Sequence, residues 1–153
     1  MSVDDRLREL GIELPEPMTP RANYLPAVRA GDLLFLSGLG PLRPDGTLVT
    51  GRVGDGGLDV AAGREAARLT GLQILARLRA ELGDLDAVVR VVKLLGMVNA
   101  VPGFPHTPQV VDGCSDLLTD VLGDAGRGAR SAVGVAALPF DIAVEIEAVV
   151  LVR

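Results

Sequence analysis

One cysteine, one histidine and one lysine limit the covalent and proton-transfer chemistry open to this chain. Cys114 falls on the apolar stripe of a helical pattern, where a thiol packs as a small hydrophobe. No His or Lys adjoins it in sequence to favour the thiolate, so we read it as a buried structural residue. His106 stands in Phe104-Pro-His-Thr-Pro108, just ahead of a helix. It has no second histidine to pair with, so a two-histidine ribonuclease would need its acid and base from other donors. Lys93 is the single position open to Schiff-base chemistry. A lone Cys with a lone His also falls short of a structural zinc site or an internal disulfide, and no metal or cofactor is expected.

Glu145 and Glu147 lie two apart in a strand pattern and project from one face. Such a pair is costly unless water, an Arg or a subunit partner satisfies it. Spacing alone leaves open a functional pair or an edge or interface salt bridge. Arg130 opens the preceding strand. A short turn joins the two segments, so Arg130 and Glu145 can lie on paired strands, although an isolated Arg at a strand start also reads as a surface charge. Gly51, Gly54, Gly56 and Gly57 cluster without the spacing of a phosphate-binding loop or dinucleotide fingerprint, and we read Gly38 to Gly57 as a mobile surface loop.

The chain has 153 residues, enough for one domain, with 48% apolar and 23% charged residues. A net charge of −5 gives no footprint for phosphate backbones or anionic membranes, and 3% aromatics leave little for base stacking. Neither a basic-then-apolar leader nor a membrane-length apolar run is present, so a soluble, cytoplasmic protein is expected.

The elements that must position these residues follow from periodicity. Ser2 to Leu10 carries a capping signature for a short helix, and Pro15, Pro17 and Pro20 then enforce an extended lead-in. Tyr24 to Arg29 and Leu33 to Ser37 form a hairpin about Gly31-Asp32. Leu69, Leu72, Leu75, Leu78 and Leu82 mark a helix over Asp59 to Leu82, with Arg77 and Glu81 as an i,i+4 pair and Gly83 as the stop. Val88 to Val98 reads as a strand buried on both faces. Thr107 caps a second helix to Leu122, with Pro108 in its first turn. Ser131 to Leu138 and Ala143 to Val152 are strands joined by a Pro139-Phe-Asp141 turn. The class is α+β, with two main helices able to cover one sheet face. The other face, assigned Val144, Ile146, Ala148, Val150 and Val152, predicts self-association.

The run Arg130-Ser-Ala-Val-Gly-Val-Ala-Ala-Leu-Pro-Phe-Asp-Ile-Ala-Val-Glu-Ile-Glu147 resembles the signature of the Rid/YjgF family. These are reactive-intermediate deaminases, also described as endoribonuclease L-PSP-like or translation-inhibitor proteins. Asn23-Tyr24 with Leu36-Ser37-Gly38, the glycine-rich loop before the Ala67-Arg-Leu-Thr70 helix, and Gly83-Asp-Leu-Asp-Ala-Val-Val89 agree with it. Gly113-Cys-Ser-Asp-Leu-Leu118 and the longer lead-in resemble the YjgF/chorismate-mutase-like endoribonuclease subgroup. Residues 1–22 would then be an amino-terminal helix and lead-in, and 23–153 a single Rid/YjgF-like domain.

The resemblance implies a chorismate-mutase-like fold, a mixed sheet, and a homotrimer with pockets between subunits. It also implies hydrolysis of 2-imino and 2-enamino acids to 2-keto acids and ammonia. By position, Arg130 would bind the substrate carboxylate and Glu145 would place the attacking water. Tyr24 and Ser37 would line the pocket, and the backbone of Ser131 and Ala132 would help hold the substrate. The chain departs from the family pattern at Leu39, Gly113 and Ala132, where Gln, Asn and Cys are usual. Two other functions share the resemblance: a non-catalytic trimeric binder or sensor of a small carboxylate, and RNA cleavage, against which charge and the single His argue.

Overall fold

Ser2 starts the first helix, α1 (Val3–Glu9), through a reciprocal cap: its hydroxyl accepts the Asp5 N–H at 3.0 Å while the Asp5 carboxylate accepts the Ser2 N–H at 3.2 Å. The structure is a computed structural model describing residues 1–153. After the lead-in come the hairpin strands β1 (Ala27–Ala30) and β2 (Leu33–Leu39), then α2 (Val60–Leu82), capped by Asp59 and closed by Gly83. The chain continues through β3 (Val88–Asn99), α3 (Thr107–Leu122), β4 (Ala129–Val135) and β5 (Val144–Val152).

The five strands form one mixed sheet in the order β1-β2-β5-β3-β4, antiparallel except for the β3–β4 pair. A parallel neighbour needs a crossover, and α3 supplies it between β3 and β4. The pairing that a short turn left open between the strands of Arg130 and Glu145 is therefore absent. Arg130 pairs with Leu94 and Glu145 with Met97, on opposite sides of β3.

Helices α2 and α3 pack against one another and cover one sheet face, as expected. Which residues lie beneath them reverses the expectation. Val144, Ile146, Ala148, Val150 and Val152 are buried in the core, and the open face carries Glu145, Glu147, Val149 and Leu151. β3 is likewise covered on one face: Val91, Leu94 and Val98 are buried, whereas Val89 and Val92 are exposed. The periodicity identifies the residues sharing a face, but the helices decide which face becomes the core.

Two local expectations also change. Residues 38–57 are tied into the fold, with Val49 and Val53 buried. The Val53 N–H donates to the Asn99 carbonyl at 2.8 Å, and the Ala143 N–H to the Val49 carbonyl at 3.0 Å. The cap of α3 is His106, without a side-chain bond. Thr107 is the first helical residue, and its hydroxyl donates to the Ala132 carbonyl at 3.1 Å, fastening the helix start to β4.

The lead-in is held by two polar residues buried on α2. Gln73 accepts the Met18 N–H at 2.9 Å, and Arg77 donates to the Met18 carbonyl at 2.6 Å while also pairing with Glu81. No helix is long and apolar enough to cross a membrane.

Candidate functional site

Glu145 lies on the open side of β5, beside Gly38 at the end of β2. A Cβ at position 38 would fall 2.8 Å from the Glu145 carboxyl carbon, so the missing side chain is what leaves room for the acid. The carboxyl is half-buried and forms no hydrogen bond within the chain. Burial first, and the charge of Glu147 second, push its pKa above the usual carboxylate range.

A pocket of about 500 Å³ opens over this group. Its walls are Met18 to Ala22 and Tyr24 from the lead-in, Ser37 to Leu39 from β2, and Phe140 from the turn before β5, with Glu147 beside Glu145. Tyr24, Ser37 and Glu145 are thus brought together. The Ser37 hydroxyl donates to the Leu25 carbonyl at 2.6 Å, so its proton braces the segment that carries Tyr24 and its lone pairs remain as acceptors.

Arg130, Ser131 and Ala132 do not line this pocket. They lie across β3 on the sheet edge. Both hydrogens of Arg130 Nη1 are engaged, by Asp112 Oδ1 at 2.7 Å and the Ser115 hydroxyl at 3.1 Å, and Nη2 makes a long 3.4 Å contact with the Pro108 carbonyl. Nε has no hydrogen-bond partner within the chain, so the guanidinium keeps a free N–H beside Nη2. Ser131 projects to the open face, where Lys93 Nζ donates to its hydroxyl at 3.1 Å.

Gly113, where the family pattern placed an Asn, faces away from this chemistry: a Cβ there would meet the Arg64 carbonyl oxygen of α2 at 2.0 Å. It permits the helix crossing. Its neighbour Asp112 holds Arg130. Cys114 is fully buried, and desolvation pushes its thiol up to about 12, as befits a packing residue. His106 stands edge-on to Phe104 with ring centroids 5.7 Å apart, outside the Glu145 pocket. Asp112, Ser115, Arg21 and Phe140 escape sequence reasoning. The first two lie three apart on α3, a spacing that puts them on one helix face, whereas nothing in the spacing marks the last two.

The chain belongs to the family described as “YjgF/chorismate_mutase-like, putative endoribonuclease”, which it matches over residues 4–148. Protein TCP17 of Trypanosoma cruzi is 46% identical over 145 residues, covering 94% of this chain and 90% of that one. The structure of Atu1372 from Agrobacterium tumefaciens, described as of unknown function, superposes with a TM-score of 0.90 at 42% identity, covering 99% of this chain and 92% of that one. One described as a putative endoribonuclease from Shewanella oneidensis gives 0.94 at 29% identity, covering 99% and 100%. The α+β architecture with a mixed sheet is that of the family.

Proposed function

We propose that the chain is a hydrolytic deaminase of small 2-imino and 2-enamino acids, working as a cytoplasmic homotrimer. The observation that carries this reading is Glu145: a half-buried carboxyl with no bonding partner in its own chain, set in a pocket with Tyr24 and Ser37. An unpaired carboxylate there is suited to hold a water molecule and take its proton. As the water oxygen bonds to the imine carbon, the imine nitrogen gains a proton. The resulting carbinolamine breaks its C–N bond, releasing ammonia and leaving the 2-keto acid. Water and a proton carrier are the only co-reactants.

Arg130 grips the substrate carboxylate through its Nε–Nη2 side, with the Ser131 and Ala132 backbone beside it. Since β3 separates Arg130 from Glu145 in one chain, the complete site takes β4 from one copy and the Glu145 pocket from the next. The edge position of β4 and the exposed Phe35, Val89 and Val133 support such an assembly.

The test is release of ammonia and keto acid from freshly generated imines of several amino acids. Release above the uncatalysed rate is expected. Binding of 2-keto acids without turnover would instead identify a carboxylate binder. RNA cleavage by the same preparation, with no ammonia released, would identify the nuclease.

A further inference from the structure

The mouth of the Glu145 pocket is formed by two segments that sequence marks only as a proline-rich lead-in and a turn. The first contributes Arg21 and the second Phe140, with the guanidinium carbon 5.5 Å from the ring centroid. Arg21 forms no hydrogen bond or ion pair within the chain. The charges otherwise lining the pocket are the carboxylates Glu145 and Glu147, so Arg21 is its one cation.

Both segments are fastened by buried polar groups. Gln73, fully buried, and Arg77, 8% exposed, take the N–H and carbonyl of Met18, three residues before Arg21. Across the mouth, Asn99, 1% exposed, donates to the Asp141 carboxylate at 3.0 Å and the Ile142 carbonyl at 3.1 Å. It braces a turn in which Phe140 and Asp141 both have φ of +57°. Left-handed backbone at two successive non-glycine residues is costly and persists where the surroundings enforce it. What it places here is the ring on which the guanidinium rests, and an aromatic face orients an arginine while leaving its donors free.

A 2-imino acid with one carboxylate needs one cation, the role given to Arg130. A second, unpaired guanidinium serves a substrate whose side chain also ends in an anion. On the deaminase reading of the pocket, on which this rests, we infer that Arg21, seated on Phe140, is a specificity-determining residue. It receives a second anionic group, and the substrates are 2-imino acids bearing a side-chain carboxylate.

The test is calorimetric binding of two product-like acids, 2-oxoglutarate and 2-oxobutyrate, to wild type, Arg21→Gln and Arg21→Lys, alongside ammonia release from the matching imines. Arg21 is bonded to nothing else in the chain, and thermal unfolding of the variants checks that the fold is kept. Wild type should prefer 2-oxoglutarate by about ten- to a hundred-fold, the worth of a charged hydrogen bond. Arg21→Gln should lose that preference, weakening 2-oxoglutarate far more than 2-oxobutyrate, and Arg21→Lys should keep part of it. Equal binding of both acids by wild type, binding of neither, or a preference that survives in Arg21→Gln would overturn the inference. A preference that depends on Arg21 without any ammonia release upholds the anion site and sinks the deaminase reading. Ammonia release with no preference between side chains does the reverse.

Discussion

Glu145 projects from an interior strand into a pocket with no partner of its own, whereas Arg130 lies on the edge strand with Nη1 already bonded to Asp112 and Ser115. The contrast suits the two tasks of the proposed reaction. In that proposal a water molecule must be held and deprotonated, and the acceptor offered for it is unpaired, with a raised pKa. A carboxylate must be met in one orientation, so its receptor is locked in advance, which spares part of the entropy of ordering it on binding. The Glu145 half depends on burial, and the Arg130 half on an ion pair.

The largest effect should follow from breaking the Arg130 half. Arg130→Ala should lower kcat/KM on 2-imino acids more than a hundred-fold, and Arg130→Lys about ten- to a hundred-fold, because the lysine keeps charge but not the fork. Wild type should discriminate against amide analogues of the substrate, and Arg130→Ala hardly at all. Equal activity of wild type and Arg130→Lys would reduce Arg130 to a structural partner of Asp112.

Mixing the two broken halves tests whether they come from different copies. Arg130→Ala and Glu145→Gln, each strongly impaired alone, should recover about a quarter of wild-type activity when unfolded and refolded together in equal amounts, since a cyclic assembly then makes some intact sites. No recovery, with mixed assemblies present, would place both halves in one chain. A smaller effect is expected of Asp112→Asn, which keeps the hydrogen-bond acceptor but removes its charge. KM should rise several-fold with kcat little altered, in a steady-state assay.

The smallest effects concern the proton on Glu145. The acid limb of kcat/KM should lie above the ordinary glutamate midpoint of about 4.3, and Glu147→Gln should move it down by removing the lesser of its two causes. The folded chain holds this proton more tightly than the unfolded chain. The stability it lends is therefore complete below the unfolded midpoint and is lost as pH rises through the raised folded one. Glu145→Gln should accordingly raise Tm at pH 7, the gain fading toward pH 4. A variant less stable than wild type at pH 7 would mean that Glu145 is paired.

What the sequence made legible was local. Helix α2 could be read because Asp59, the leucine period and Gly83 all act within the segment itself. The hairpin of β1 and β2 likewise needs only neighbours in sequence. The placement of β5 is not legible because both of its parities contain apolar residues, and its alternation says nothing about which side the helices take. A short connection makes β4 and β5 read as partners, but α3 sets β4 on one side of β3 and residues 136–143 then pass the end of β3 to reach β5 on its other side. Spacing shows Arg77 only as half of an i,i+4 pair with Glu81, whereas its bond to the Met18 carbonyl depends on a segment far away in sequence. For the site, residue types gave candidates and the family signature gave roles. Asp112 and Arg21 acquire theirs only from packing.

The turn that carries Phe140 has a consequence for how this protein can vary. With φ of +57° and 65% of its surface exposed, position 140 is one where glycine would relieve the backbone and forfeit little buried area, a gain of about 1 kcal/mol. Mutational drift toward sturdiness therefore runs toward an empty pocket mouth, and a library screened for thermal tolerance alone would select against the ring. The chain is locally less durable there than it could be, in a place where durability and recognition compete for the same side chain.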